Sequence, residues 1–233
     1  MQVDTLSPLV RRVSAAESLV SPNWWPSGDG LLFQRDDLSS PPLAAPGQEV
    51  ARYSSRINAV NADGSGRSTL QADGRHPGAA PDGVSYAFIR GTSTSATLLI
   101  ASRHGSGVRE IVPLGQFPDL GYPRFSPDGT TIAFTAPQSA PSASGGGIFR
   151  FLEPPTAYAH GIPWDVWLVG TDGANLRRIA QPDSDEPSVT WSPDGSRLLV
   201  FGGTGSWIVN VADGKLVSLP RLTGYGVESW LGQ

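Results

Sequence analysis

The residues Trp191-Ser192-Pro193-Asp194-Gly195 are followed, two residues later, by the apolar run Leu198-Leu199-Val200-Phe201. Proline fixes its own φ, aspartate hydrogen-bonds to the turn backbone, and glycine adopts a positive φ, so the five residues predict a tight turn before a β-strand. The arrangement recurs at residues 125–129, at 79–83 without the aromatic residue, and at 25–30 with what reads as one additional turn residue. The sequence therefore contains an internal repeat.

A second turn signal alternates with the first. Short turns that contain glycine separate apolar runs at Asp63-Gly64, Gly105-Ser106-Gly107, Asp172-Gly173 and Asp213-Gly214. Asp-Gly between apolar runs predicts a β-hairpin. Each unit then consists of four short antiparallel strands, a to d, and such units predict an all-β propeller. We place four blades at about 19–72, 76–114, 122–181 and 187–220, in a single propeller domain over residues 1–233.

The phrase Trp-Ser-Pro-Asp-Gly before a strand, followed by a second Asp-Gly turn, resembles the WD40-like β-propeller repeat of the TolB type. The resemblance extends from about Leu19 to Leu219, with the copies at Trp191 and Phe125 matching best. It implies a propeller fold and an extracytoplasmic setting, periplasmic or extracellular, with partners in the cell envelope. It implies no particular activity, because one fold supports many functions.

The chain ends suggest a fifth blade. Residues 226–233 resemble an opening strand a, and residues 1–13 resemble strands c and d, so together they predict a composite or incomplete closing blade without an obvious strand b. The rival interpretation is a fragment of a propeller with six or more blades. A propeller whose ring does not close leaves exposed strand edges.

Composition excludes several classes of protein. The 233 residues carry a net charge of −4 and no cysteine, so disulfides and thiolate sites are ruled out. The chain has no basic run of the kind that binds nucleic acid, no apolar stretch long enough to span a membrane, and no recognisable signal peptide. The sequence does not predict an oligomeric state.

Enzyme and metal motifs are not recognisable in the sequence. There is no Gly-x-Ser-x-Gly or His-Glu-x-x-His pattern. His76 and His160 map to one rim of the propeller and His104 to the opposite rim, so a three-histidine metal site is not predicted. We predict neither a cofactor nor a metal, and no catalytic residue is assigned.

Two inserts, residues 37–52 and 137–163, interrupt the connection between strands b and c in blades 1 and 3. Both should emerge on the same rim, and long loops in compact domains are often functional. The second insert alternates aromatic and basic residues, which suits contact with a protein or peptide partner or packing on its own propeller. As partner-binding residues we predict Phe149, Arg150, Phe151, Tyr158 and Trp164.

The sequence leaves three functions open. The first is a non-enzymatic module that binds or scaffolds a protein or peptide. The second is a propeller enzyme, a glycan lyase or hydrolase, using polar residues at the rim of the central channel: His76, Asp119, His160, Asp183 and Asp185. The third is a structural subunit that accepts a strand from another chain.

Overall fold

The computed structural model describes residues 17–37, 54–92, 94–138, 163–220, 222–224 and 230. Within these ranges the chain forms sixteen β-strands in four antiparallel sheets of four strands each, and every sheet follows chain order. None of the described residues belongs to a helix that is long and apolar enough to cross a membrane. The predicted all-β propeller of four-stranded blades is confirmed for these four sheets.

The strand bounds follow the predicted turns. Sheet 1 contains β1 (Glu17–Trp24), β2 (Gly30–Asp37), β3 (Ser54–Asn61) and β4 (Ser68–Gln71). Sheet 2 contains β5 (Arg75–Ala79), β6 (Ser85–Gly91), β7 (Ala96–Ser102) and β8 (Arg109–Phe117). Sheet 3 contains β9 (Gly121–Phe125), β10 (Thr131–Pro137), β11 (Trp164–Gly170) and β12 (Arg177–Ala180). Sheet 4 contains β13 (Ser188–Trp191), β14 (Arg197–Phe201), β15 (Ser206–Asn210) and β16 (Leu216–Ser218).

The Ser-Pro-Asp-Gly turns have the expected geometry. Ser192 N–H donates to the Arg197 carbonyl at 2.9 Å, and the Asp194 carboxylate accepts from the Ser192 hydroxyl at 2.6 Å. The turn of sheet 1 corrects our prediction, because it is no longer than the others. Trp25 N–H donates to the Gly30 carbonyl across the same five-residue span, and Gly28, not Gly30, holds the positive φ.

The Asp194 turn predicts a specific acid response. The Ser192 hydroxyl, followed by the Ser196 amide and hydroxyl, lowers the pKa of Asp194 from 3.8 to about 2. Because the folded-state pKa lies below the unfolded one, the stabilisation is complete above pH 3.8 and is lost as the pH falls through about 2. Urea unfolding of wild type and Asp194→Asn should therefore differ most above pH 4 and converge near pH 2. Ser192→Ala should move this window to higher pH, and a difference that does not vary with pH would contradict the assignment.

Apolar layers between neighbouring sheets hold the blades together. Leu32 and Ile57 of sheet 1 pack with Tyr86 and Phe88 of sheet 2, and all four side chains are buried. Equivalent layers join sheets 2 and 3, and sheets 3 and 4. Since full burial of such a side chain is worth about 1.5–3 kcal/mol, these layers supply most of the stabilisation between blades.

Glycines of the second turn type make a repeated contact between blades. Gly105, Gly173 and Gly214 each lie against a backbone carbonyl oxygen in the last strand of the preceding sheet: Leu70, Ile111 and Ile179, respectively. The turns therefore dock on the preceding blade as well as reversing the chain, a role that the Asp-Gly signal alone does not reveal.

We expect Gly214→Ala to be far more damaging than Gly83→Ala. Both glycines have a φ near 70°, but a Cβ at Gly83 meets nothing within 4 Å, whereas a Cβ at Gly214 collides with the Ile179 carbonyl oxygen. The backbone strain alone should lower the free energy of unfolding by about 1 kcal/mol at Gly83. The collision should add about 2 kcal/mol at Gly214. Urea denaturation of both variants measures the difference, and equal losses would contradict the docking contact.

The first strands of the sheets, β1, β5, β9 and β13, pack side by side in chain order, as the inner strands along the central channel of a propeller do. Among the described strands, no comparably close contact joins β13 back to β1. The Trp191 indole N–H donates to the Arg124 carbonyl of the preceding inner strand at 2.9 Å. The Trp230 indole N–H donates to the Thr190 carbonyl at 3.3 Å, and Thr190 is the repeat equivalent of Arg124. Apart from Trp230, the predicted fifth blade lies outside the described residues.

Candidate functional site

Residues from all four sheets meet at the end of the channel where the inner strands begin. His76 in β5 is buried, and its backbone N–H donates to Gln34 Oε1 of sheet 1 at 2.8 Å. Its imidazole stacks on the Tyr122 ring of sheet 3, with the ring centres 4.2 Å apart and the planes 9° from parallel. Glu186, just before β13 of sheet 4, completes the group. We call these four residues the His76 site.

The geometry fixes the tautomer of a neutral His76. The Tyr122 backbone N–H donates to Nδ1 at 3.3 Å, so this nitrogen carries no hydrogen. The proton then resides on Nε2, which faces Glu186 Oε1 at 3.9 Å. The Glu186 side chain is 40% exposed, so the site combines a buried, oriented imidazole with a carboxylate that reaches solvent. Such a pair can donate and accept hydrogen bonds with an incoming polar group.

Backbone strain is concentrated at this end of the channel. Four of the five non-glycine residues with positive φ in the described ranges lie within an inner strand or just before one, and each immediately precedes a proline: Ser21, His76, Tyr122 and Glu186. Left-handed residues with side chains cost about 1–3 kcal/mol and cluster at functional sites. Our sequence analysis missed these four residues. The signal that could have indicated them is a residue-proline pair that recurs in or just before each strand a.

A buried ion pair lies beside the His76 site. The Arg75 guanidinium contacts the Asp119 carboxylate and donates to the Gly91 carbonyl at 2.9 Å. Asp119 also accepts from the Leu120 backbone N–H at 2.8 Å. Both charged side chains are nearly inaccessible to solvent.

Removing one charge of this pair should cost more than removing both. Arg75→Met leaves the Asp119 carboxylate buried without its guanidinium and should lower the free energy of unfolding by about 3–5 kcal/mol. Adding Asp119→Asn removes the charge but keeps the amide as a hydrogen-bond acceptor, so the double variant should recover more than half of the loss. Urea unfolding of both proteins gives the comparison. A double variant that loses at least as much free energy of unfolding as Arg75→Met would contradict the pairing.

The bases of both inserts are tied to the same end of the channel. Gln34 Nε2 donates to Asp36 Oδ1 at 2.7 Å, and the Ser55 hydroxyl donates to the same oxygen at 2.7 Å, which joins the two ends of the first insert to the residue that holds His76. At the second insert, Gln138 N–H donates to the Pro163 carbonyl at 2.8 Å. Both inserts therefore leave the propeller on the rim that carries the His76 site.

Trp164, predicted as a partner-binding residue, opens β11 and is 7% exposed. Its indole lies beside Gly121, where an added Cβ would be 3.2 Å from the Trp164 ring and 3.7 Å from His76 Nδ1. Trp164 therefore packs beside the His76 site. The other predicted contact residues lie outside the described residues: Phe149, Arg150, Phe151 and Tyr158.

The predicted channel-rim residues fall at different positions. His76 belongs to the His76 site and Asp119 to the buried ion pair beside it, whereas His160 lies outside the described residues. Asp183 is exposed, with its carbonyl accepting from the Thr204 hydroxyl at 2.6 Å, and Asp185 is half-buried next to Glu186. Among the described residues no three His, Asp or Glu side chains are grouped as a metal site requires.

Comparison with known proteins shows the fold and no family. Neither a protein-family model nor a curated protein matches the chain. Three similar solved structures are TolB from Acinetobacter baumannii (TM-score 0.58, 15% identity), a chain of a nidogen/laminin complex (0.64, 12%) and oligogalacturonate lyase from Vibrio parahaemolyticus (0.57, 11%). They cover 87–89% of this chain, which spans 43%, 66% and 55% of theirs, respectively. The chain has a TolB-like β-propeller fold, and its neighbours include both binding proteins and an enzyme.

Proposed function

We propose that the chain is a non-enzymatic TolB-like β-propeller that binds a protein or peptide partner in the cell envelope. The observation that carries this proposal is the convergence of both insert bases on the His76 site. Two long inserts on one rim, above a strained and polar channel end, make a composite surface of the kind that rigid scaffolds present to partners. The extracytoplasmic setting rests on the TolB resemblance.

The second insert supplies the proposed contact residues. Aromatic and arginine side chains carry most of the binding energy in protein interfaces. Phe149, Arg150, Phe151 and Tyr158 provide such anchors directly beyond the Gln138–Pro163 base of this insert. Trp164, which follows the insert, packs beside Gly121.

Photo-crosslinking tests the location of the interface. A benzoylphenylalanine at position 149 or 158 should crosslink one and the same partner in envelope extracts. The same probe at Val84, which is 63% exposed on the opposite rim, is the matched control and should not. The purified partner should then bind Phe149→Ala/Phe151→Ala at least tenfold more weakly than wild type, with an unchanged melting temperature. Equal crosslinking from Val84, or unchanged affinity of the double variant, would contradict the proposal.

The His76–Glu186 pair favours a glycan lyase or hydrolase as the second candidate. An oriented imidazole 3.9 Å from a carboxylate has the composition of an acid–base pair. A spectrophotometric assay on a panel of acidic and neutral oligosaccharides decides between the two functions. Turnover that Glu186→Gln abolishes, without affecting partner crosslinking, would establish the enzyme; no turnover, together with a partner captured at Phe149, would leave binding.

A further inference from the structure

The opposite end of the channel, at the Ser-Pro-Asp-Gly turns, contains an aromatic pocket. Each inner strand contributes the residue directly before its turn to this end: Trp24, Ala79, Phe125 and Trp191. These positions are equivalent, because the next residue in every case closes the turn with a backbone hydrogen bond to the residue five positions further on. Together they line a pocket of about 220 Å³, which we call the aromatic pocket.

Ala79 leaves the space that forms the aromatic pocket. Three of the four equivalent positions carry rings, and the methyl group of Ala79 opens a gap between Trp24 and Phe125. Trp24 is 52% exposed, whereas its neighbour Trp25 is buried. A large exposed aromatic at the wall of a concave site is typical of a ligand-binding surface.

A larger cleft between sheets 3 and 4 lies next to the aromatic pocket. This cleft measures about 640 Å³ and shares Ser126, Pro127 and Trp191 with the pocket. Its outer walls carry three carboxylates and one guanidinium: Asp128, Asp172, Asp194 and Arg177. We call it the acidic cleft. Hydrogen bonds from Ser126 and Thr130 lower the pKa of Asp128, as the Ser192 hydroxyl does for Asp194, so both remain anionic at neutral pH.

The floor of the aromatic pocket indicates which part of a ligand enters it. Arg124 lines the floor and donates through Nη1 to the carbonyl oxygens of Pro77 at 3.2 Å and Pro123 at 2.9 Å. A second cation at this depth would be repelled, whereas an apolar side chain would pack against Trp24 and Phe125. Basic groups are favoured further out, where carboxylates outnumber the single guanidinium.

We propose that the aromatic pocket and the acidic cleft together bind an extended peptide segment, with one apolar side chain in the pocket and basic residues after it along Asp128 and Asp194. The pocket has room for a single anchor, and the cleft lies next to it, which suits an extended chain better than a folded surface. Charge complementarity selects a basic segment over an acidic one. The site lies on the rim opposite the His76 site, so it is independent of the proposed function.

Selection from a random dodecapeptide library displayed on phage tests this site. Selected peptides should share an apolar residue followed by Lys or Arg. Each is then synthesised with a fluorescent label, and its affinity is measured by anisotropy. Trp24→Ala and Ala79→Phe should each weaken binding at least tenfold: the first removes a wall, and the second fills the gap with the residue found at position 125. Val84→Ala, on the same rim but outside the pocket, is the control.

The outcomes separate the proposal from its alternatives. Replacing the basic residues of a selected peptide with Glu should abolish binding, and Asp128→Asn should weaken binding of the basic peptide. The proposal is overturned if no peptide is selected, if the consensus lacks basic residues, or if Trp24→Ala and Ala79→Phe bind like wild type with unchanged melting temperatures. A dimer in sedimentation analysis that Trp24→Ala dissociates would instead assign the pocket to a second copy of this chain.

Discussion

The close approach of neighbouring inner strands is the constraint on which the rest of the structure depends. At Gly78 in β5 there is no room for a side chain, because a Cβ would collide with the Pro123 carbonyl of β9. Arg124 bridges the same two strands by donating to the carbonyls of Pro77 and Pro123. On the other side, the Asn23 amide donates to the Pro77 carbonyl at 3.1 Å. These short-range contacts set the width of the channel and the positions of the side chains at both ends.

Proline explains how the inner strands differ at their two ends. The ladder is bulged between Val20 and Asn23 in β1, and between Arg75 and Gly78 in β5, so a left-handed residue and its proline interrupt the pairing in each strand. Bulges of this kind re-aim side chains near functional sites. Here they bring His76 against Tyr122 and within 3.9 Å of Glu186. At the other end, the prolines lie within the regular turns, and the residues directly before those turns line the aromatic pocket.

The local chemistry of turns made most of the fold predictable. Asp-Gly and Pro-Asp-Gly signals act over four or five residues, so they identified the hairpins and the four-stranded sheets. The same signal misled us at Asp29-Gly30, where the residue of positive φ is Gly28. Asp29 has a different role, because its carboxylate binds the Arg103 guanidinium at 2.7 Å. This guanidinium lies over the Trp25 ring.

The candidate site was only partly predictable, because it depends on contacts between sheets. The repeat map alone singled out His76 and Asp119, which lie close to each other in the structure. Glu186 was not among the predicted site residues, and nothing in its local sequence indicates that it faces a histidine 110 positions earlier. The gap at Ala79 was noted as an imperfect copy of the motif, and its meaning appears only when the equivalent rings surround it.

The most direct test of this account uses the seven tryptophans of the chain as reporters. Gly78→Ala forces β5 and β9 apart, so the indole N–H resonances at the channel should shift: Trp24 and Trp191 at one end, and Trp164 at the other. Trp207, in the third strand of sheet 4, should keep its resonance. A two-dimensional ¹H–¹⁵N spectrum of the folded variant measures this. If all indole signals coincide with those of wild type, the inner strands do not control the two ends of the channel.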